Sequence, residues 1–155
     1  MDLTDCGMEE AYSIIEKHAA QNGAALPILH ALQEHFGYVP ESVLPVVAQV
    51  LNVTRAEIYG VATFYHDFRL APSGAHRLTL CRAEACQAMG GAALEAQAKN
   101  RLGVEWGETT PDGRVTLDQT FCLGLCACAP SAMLDGKIYG RLNAQKLDAL
   151  IEKAA

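Results

Sequence analysis

The sequence has no long hydrophobic run, no surplus of basic charge and no Cys-x-x-Cys pair, and each absence removes a class of function. Its longest apolar stretch, Val43 to Val53, is interrupted by Pro45 and Gln49, far short of the roughly 20 residues a membrane-spanning helix requires. The first twelve residues, MDLTDCGMEEAY, carry acids and no basic cluster, and no apolar core follows, so no secretory signal is expected. Lys and Arg number 12 against 18 Asp and Glu, a formal charge of -6 at neutral pH. A chain of that sign does not seek phosphate backbones. The expectation is a cytoplasmic protein with no membrane span and no nucleic acid partner. Internal repeats and low-complexity segments are also lacking.

What is present begins with cysteine. At 155 residues, half of them hydrophobic, the chain can bury roughly 68–70 % of its unfolded surface. The six cysteines are therefore surplus to folding. In a reducing compartment disulfides rarely persist, so clustered cysteines read as metal ligands or reactive thiols. The missing Cys-x-x-Cys pair argues against a dithiol exchange site.

A break near Pro72 and Gly74 divides two compositions. Residues 1–70 hold three basic side chains, Lys17, Arg55 and Arg69, against nine acidic ones, whereas residues 71–155 hold nine of each. The first half reads as four short helices, through Met8, Ala11, Ile15 and Ala19, then Leu29, Leu32 and Phe36, then Val43, Val47 and Val50, then Ile58, Val61, Tyr65 and Phe68. Thr54-Arg55-Ala56-Glu57 matches a capping box. The second half changes period. His76 to Cys81 alternates like a half-buried strand, and Gly91 to Leu102 returns to helical spacing with Gly103 as its stop. Val115, Leu117 and Phe121 alternate after an Asp112-Gly113 turn. Leu134-Asp135-Gly136-Lys137-Ile138 predicts a tight hairpin, because Asp-Gly supplies the positive φ angles of a two-residue loop. Asn143 can cap a last helix bearing Ala144, Leu147, Ile151 and Ala154. The class is α+β, a small helical bundle over 1–72 followed by a sheet covered by helices over 73–155.

Four cysteines form two pairs, Cys81 with Cys86 and Cys122 with Cys126, each expected on a loop after a strand and in apolar surroundings. Thiolates are soft ligands that favour zinc, copper(I) or iron–sulfur centres. Spacing alone leaves zinc and a 2Fe-2S cluster both open. Gly124, Ala127 and Gly90-Gly91 allow close backbone approach, and Arg82 could offset negative charge. Cys128 and Cys6 read as bystanders. His66 reads as a packing or interface residue, and His18, His30, His35 and His76 are scattered away from the cysteines and given no site.

Cys81-x4-Cys86, then about 35 residues, then CLGLCACAPSAMLDGKIYGRL resembles the thioredoxin-like 2Fe-2S ferredoxin module shared by NADH-linked oxidoreductases. LPILHALQEHFGYVP and RAEIYGVATFYHDF resemble that family's helical extension, and GETTPDGRVTL the stretch before its second cysteine pair. The resemblance implies a thioredoxin-like domain whose 2Fe-2S cluster is held by Cys81, Cys86, Cys122 and Cys126. Within the family the chain is most similar to the gamma subunit of soluble NAD-dependent formate dehydrogenases. The complex I version usually has a Pro before its second cysteine and a Leu-Arg-Gly run after it, whereas CRAEACQAMGG stands here. That implies a larger partner carrying FMN, NAD and a 4Fe-4S cluster, a catalytic molybdenum subunit oxidising formate, and no independent active site in this chain. The equivalent small subunit of NADH:quinone oxidoreductase or of NAD-reducing hydrogenase is the alternative. A zinc-binding interaction module, with helices over 26–62 resembling a helix-turn-helix, is the remote one, opposed for DNA by the acidic first half.

Overall fold

A computed structural model describes residues 5–154, with side chains from Gly7 onward. The chain forms two compact units, one running to Pro72 and the other from Ser73.

The first unit is helical: α1 (Asp5–Ala19), α2 (Ala25–Phe36), a 3-10 turn at Glu41–Val43, α3 (Leu44–Leu51) and α4 (Arg55–Phe64). Ala11, Ile15, Ile28, Leu29, Leu32, Val47, Ile58 and Ala62 close its core. Thr54 caps α4 reciprocally with Glu57: the Glu57 N–H donates to Thr54 Oγ1 at 3.2 Å, and the Thr54 N–H donates to Glu57 Oε2 at 2.7 Å. Helix α4 ends at Phe64, earlier than its apolar spacing suggests. Tyr65 turns to an extended conformation, φ -86° and ψ 111°, so Tyr65 and Phe68 leave the helical face. His66 lies in the turn beyond and is exposed.

The second unit is built on a four-stranded sheet of β1 (His76–Cys81), β2 (Val115–Thr120), β3 (Ala132–Leu134) and β4 (Lys137–Tyr139), ordered β2-β1-β3-β4. Strands β1 and β2 are parallel, with α5 (Glu84–Ala88) and α6 (Gly91–Leu102) between them in the chain. The pairs β1·β3 and β3·β4 are antiparallel. Leu78, Leu80 and Leu117 pack with Leu94 and Ala98 of α6 and with Leu147 and Ile151 of α7 (Ala144–Ala154). The β3–β4 turn has φ 50° at Asp135 and 79° at Gly136, the left-handed pair that a two-residue hairpin requires. Asn143 Oδ1 accepts from the Lys146 N–H at 2.9 Å and caps α7.

Two local expectations are corrected. Leu78, Thr79, Leu80 and Cys81 are all buried: successive side chains alternate between the two faces of the sheet, so both faces of β1 are covered there and it is not half exposed. Strand β2 ends at Thr120, and Phe121 projects outward at 68 % exposure.

Candidate metal centre

Register explains why the cysteines meet. Cys81, the last residue of β1, pairs with Thr120, the last residue of β2, and the strands are parallel. Cys122 therefore begins only two residues beyond the position facing Cys81. The Arg82 N–H extends the ladder to the Thr120 carbonyl at 2.7 Å, and the Cys81 N–H donates to the Ser131 carbonyl at 3.0 Å. Backbone hydrogen bonds thus hold the Cys81 end of β1 to both neighbouring segments.

The pairs differ in setting. Cys81 and Cys86 are buried, whereas Cys122 and Cys126 are exposed. The apolar neighbours in TFCLGLC do not cover the second pair, contrary to the expectation that both are enclosed. Cys86 sits in the short helix α5 rather than on a loop. Cys122 is in the turn after β2, and Cys126 opens a 3-10 turn spanning Cys126–Cys128. Helix α6 packs so tightly behind Cys86 that a Cβ on Gly91 would lie 2.7 Å from the Cys86 carbonyl oxygen.

Cys122 Sγ and Cys126 Sγ are 3.8 Å apart. A tetrahedral ion with sulfur bonds of about 2.3 Å sets neighbouring sulfurs about 3.8 Å apart, so the pair already spans one edge of such a site. Among the described residues no group of three or more His, Cys, Asp or Glu side chains is gathered for a single ion. The thiols stand as two pairs, an arrangement suited to a dinuclear centre in which each pair takes one iron.

Backbone donors surround the sulfurs. The Gly124 N–H reaches Cys122 Sγ at 3.3 Å, in a turn that Gly124 enters at φ 76°. Burial works to raise the Cys81 thiol, but the N–H groups of Ala83 and Leu123, the Cys86 thiol and the Ser131 hydroxyl outweigh it and hold the pKa below the ordinary value. Leu123 belongs to the second cysteine loop, so the backbone of one pair's loop favours the thiolate of the other pair. Burial pushes the Cys86 thiol up, and the neighbouring Cys81 adds to it. Cys126 is pushed up first by Cys122, with Cys86 and Cys81 contributing their charge. Ionising all four thiols together would cost mutual repulsion that a positive centre between them would offset, and the soft donor set with its N–H groups fits iron with sulfide.

Residues beyond the four cysteines carry the support. Glu95 of α6 accepts from Arg82 Nε at 3.0 Å and also from Gln87 Nε2. It therefore grips the residue after each buried cysteine. Arg82 lies over the Trp106 ring, 5.4 Å from its centroid, so its charge is committed to Glu95 and the ring. Glu95, Gln87 and Ser131 carry no sequence signal that register and packing do not first supply. Cys128 closes the 3-10 turn that Cys126 opens and is half-buried, with Gly140 so close that an added Cβ would lie 2.9 Å from Cys128 Cβ. Cys6 is in α1, its side chain outside the described residues. No described helix is long and apolar enough to cross a membrane.

The chain belongs to the thioredoxin-like [2Fe-2S] ferredoxin family, whose model matches residues 11–155. It accordingly carries a 2Fe-2S cluster. Among its relatives, an NADH-quinone oxidoreductase subunit of Rhizobium meliloti (strain 1021) is 39% identical over 144 residues, covering 93% of this chain and 86% of that protein. A subunit of the NADP-reducing hydrogenase of Solidesulfovibrio fructosivorans is 35% identical over 134 residues, covering 86% and 78%. Among solved structures, a chain of an NAD+-reducing [NiFe]-hydrogenase in the air-oxidized state superposes with a TM-score of 0.69 at 29% identity. That match covers 81% of this chain and 22% of the much longer one.

Proposed function

We propose that this chain is the small electron-transfer subunit of an NADH-linked oxidoreductase, with its cluster held by Cys81, Cys86, Cys122 and Cys126. The observation that carries this reading is the placement of two thiol pairs at the ends of adjacent parallel strands, 3.8 Å apart in the outer pair. A bound 2Fe-2S cluster takes up and releases one electron at a time, which suits a neighbour of a flavin that must divide a hydride's two electrons. The protein's own contribution is positional. Buried Cys81 and Cys86 anchor the site to the sheet and exclude water, while exposed Cys122 and Cys126 form the edge across which an electron passes to a partner. Residues 73–155 are the cluster domain, and the acidic helices of 1–72 are an extension that meets a partner protein. The chain itself has no separate active site, binds no nucleic acid and works in the cytoplasm.

At a finer level we assign the chain to an NAD-dependent formate dehydrogenase, next to a larger subunit carrying FMN, NAD and a 4Fe-4S cluster, with a molybdenum subunit oxidising formate. CRAEACQAMGG, with Ala85 rather than Pro before Cys86, supports that branch. The relatives named as NADH-quinone oxidoreductase and hydrogenase subunits favour a second reading, the equivalent small subunit of one of those assemblies. Affinity purification from the native host decides between them. Molybdenum and formate-dependent NAD reduction in the purified complex are expected on the first reading. Quinone-linked NADH oxidation, or nickel with hydrogen-dependent reduction, rejects it.

A further inference from the structure

We infer that the Ser131 hydroxyl is a built-in hydrogen-bond donor to the sulfur of Cys86 and raises the potential at which the cluster accepts its electron. The inference rests on Cys86 being a ligand. Ser131 is 2 % exposed, one of few buried polar side chains among the described residues. Its Oγ lies 3.6 Å from Cys86 Sγ. In free thiols either atom of the Cys86 contact could donate. A metal-bound thiolate has no proton, so in the loaded protein the hydroxyl must be the donor.

The donor is fixed by the fold rather than by a mobile loop. The Ser131 carbonyl accepts from the Cys81 N–H at 3.0 Å, and the next residue, Ala132, pairs with Leu80 in the sheet. The hydroxyl therefore does not have to reorient when charge arrives. Reduction adds one electron and one negative charge to the centre, with no bond made or broken and the Ser131 proton retained. A hydrogen bond to sulfur strengthens as the sulfur becomes more negative, so it favours the reduced form. Ser131 acts through the cysteine sulfur and is a positioning and tuning residue.

The test is an EPR-monitored redox titration of the loaded full chain, with dithionite as reductant and mediators present. Wild type, Ser131→Ala and the isosteric pair Ser131→Thr and Ser131→Val are compared. Alanine and valine variants are expected to keep one cluster per chain but to reduce less readily, by about tenfold in the one-electron equilibrium, about 59 mV. Threonine keeps the hydroxyl and titrates with wild type. An unmoved midpoint in alanine and valine, or a threonine variant that shifts as far as valine, overturns the inference. Loss of the cluster in both alanine and valine variants overturns it too, since the hydroxyl would then serve assembly rather than potential. The ligand reading fails separately, if Cys86→Ser retains the normal spectrum.

Discussion

Replacing Gly91 with alanine tests the packing behind the buried thiol pair. A new Cβ would lie 2.7 Å from the Cys86 carbonyl oxygen and 3.0 Å from its carbon, both backbone atoms. Overpacking of this kind costs about 1–3 kcal/mol. Alanine in place of glycine returns at most about 1 kcal/mol of helix propensity, and less at the first residue of α6. The net expectation is a loss of about 0–3 kcal/mol together with displacement of Cys86. Gly90→Ala is the control. Gly90 has φ 91° with nothing within 4 Å of an added Cβ, so the substitution strains only its own backbone, by about 1–2 kcal/mol. Urea unfolding of the apo chain reads stability, and the EPR spectrum of the reduced, loaded chain reads the site. Gly91→Ala should alter the g-values or lower cluster occupancy, whereas Gly90→Ala should lower stability and leave the spectrum alone. A Gly91→Ala chain that is more stable than wild type and spectroscopically identical to it would refute the reasoning.

Three further outcomes are expected. Glu95→Ala leaves Arg82 and Gln87 without their shared acceptor. With the Glu95 side chain 14% and Arg82 34% exposed, partial rehydration limits the loss to about 1–2 kcal/mol by urea titration; no change would mean that the network holds nothing in place. Thr54→Ala removes half of the α4 capping box and should cost about 0.5–2 kcal/mol, visible as a lower thermal midpoint. The Thr110 hydroxyl and the Arg114 guanidinium hold the Asp112 carboxyl down at about 2, below its ordinary 3.8. A depressed carboxylate stabilises the fold above its unfolded pKa and loses that contribution as pH falls through the folded one. The urea midpoints of wild type and Asp112→Asn should therefore differ above about pH 4 and converge toward pH 2, and a gap that widens on acidification contradicts the assignment.

The thiol pairs were legible because their positions follow strand-like alternation, and parallel register then brings the strand ends together without any further signal. The hairpin was equally legible, since Asp135-Gly136 admits few other turns. Helix α5 was not: EACQA is too short to show a period, so Cys86 read as a loop residue. The exposure of Cys122 and Cys126 was hidden by apolar neighbours, because Phe121 looks like core in sequence and faces outward in the fold. The end of α4 was overrun because apolar spacing continued through Tyr65 and Phe68 after the backbone had left the helix. Ser131 and Glu95 are ordinary polar residues until β3 places one against Cys86 and α6 brings the other between Arg82 and Gln87.

The central claim is that Cys81, Cys86, Cys122 and Cys126 hold a 2Fe-2S cluster, and EPR of the dithionite-reduced chain with single serine substitutions tests it most directly. Wild type and Cys128→Ser should show the same S = 1/2 signal with two iron and two labile sulfide per chain, and each of the four ligand substitutions should lose or alter it. A normal signal in any of those four, or its loss in Cys128→Ser, would contradict the ligand set. Colourless protein holding stoichiometric zinc would contradict the cluster itself.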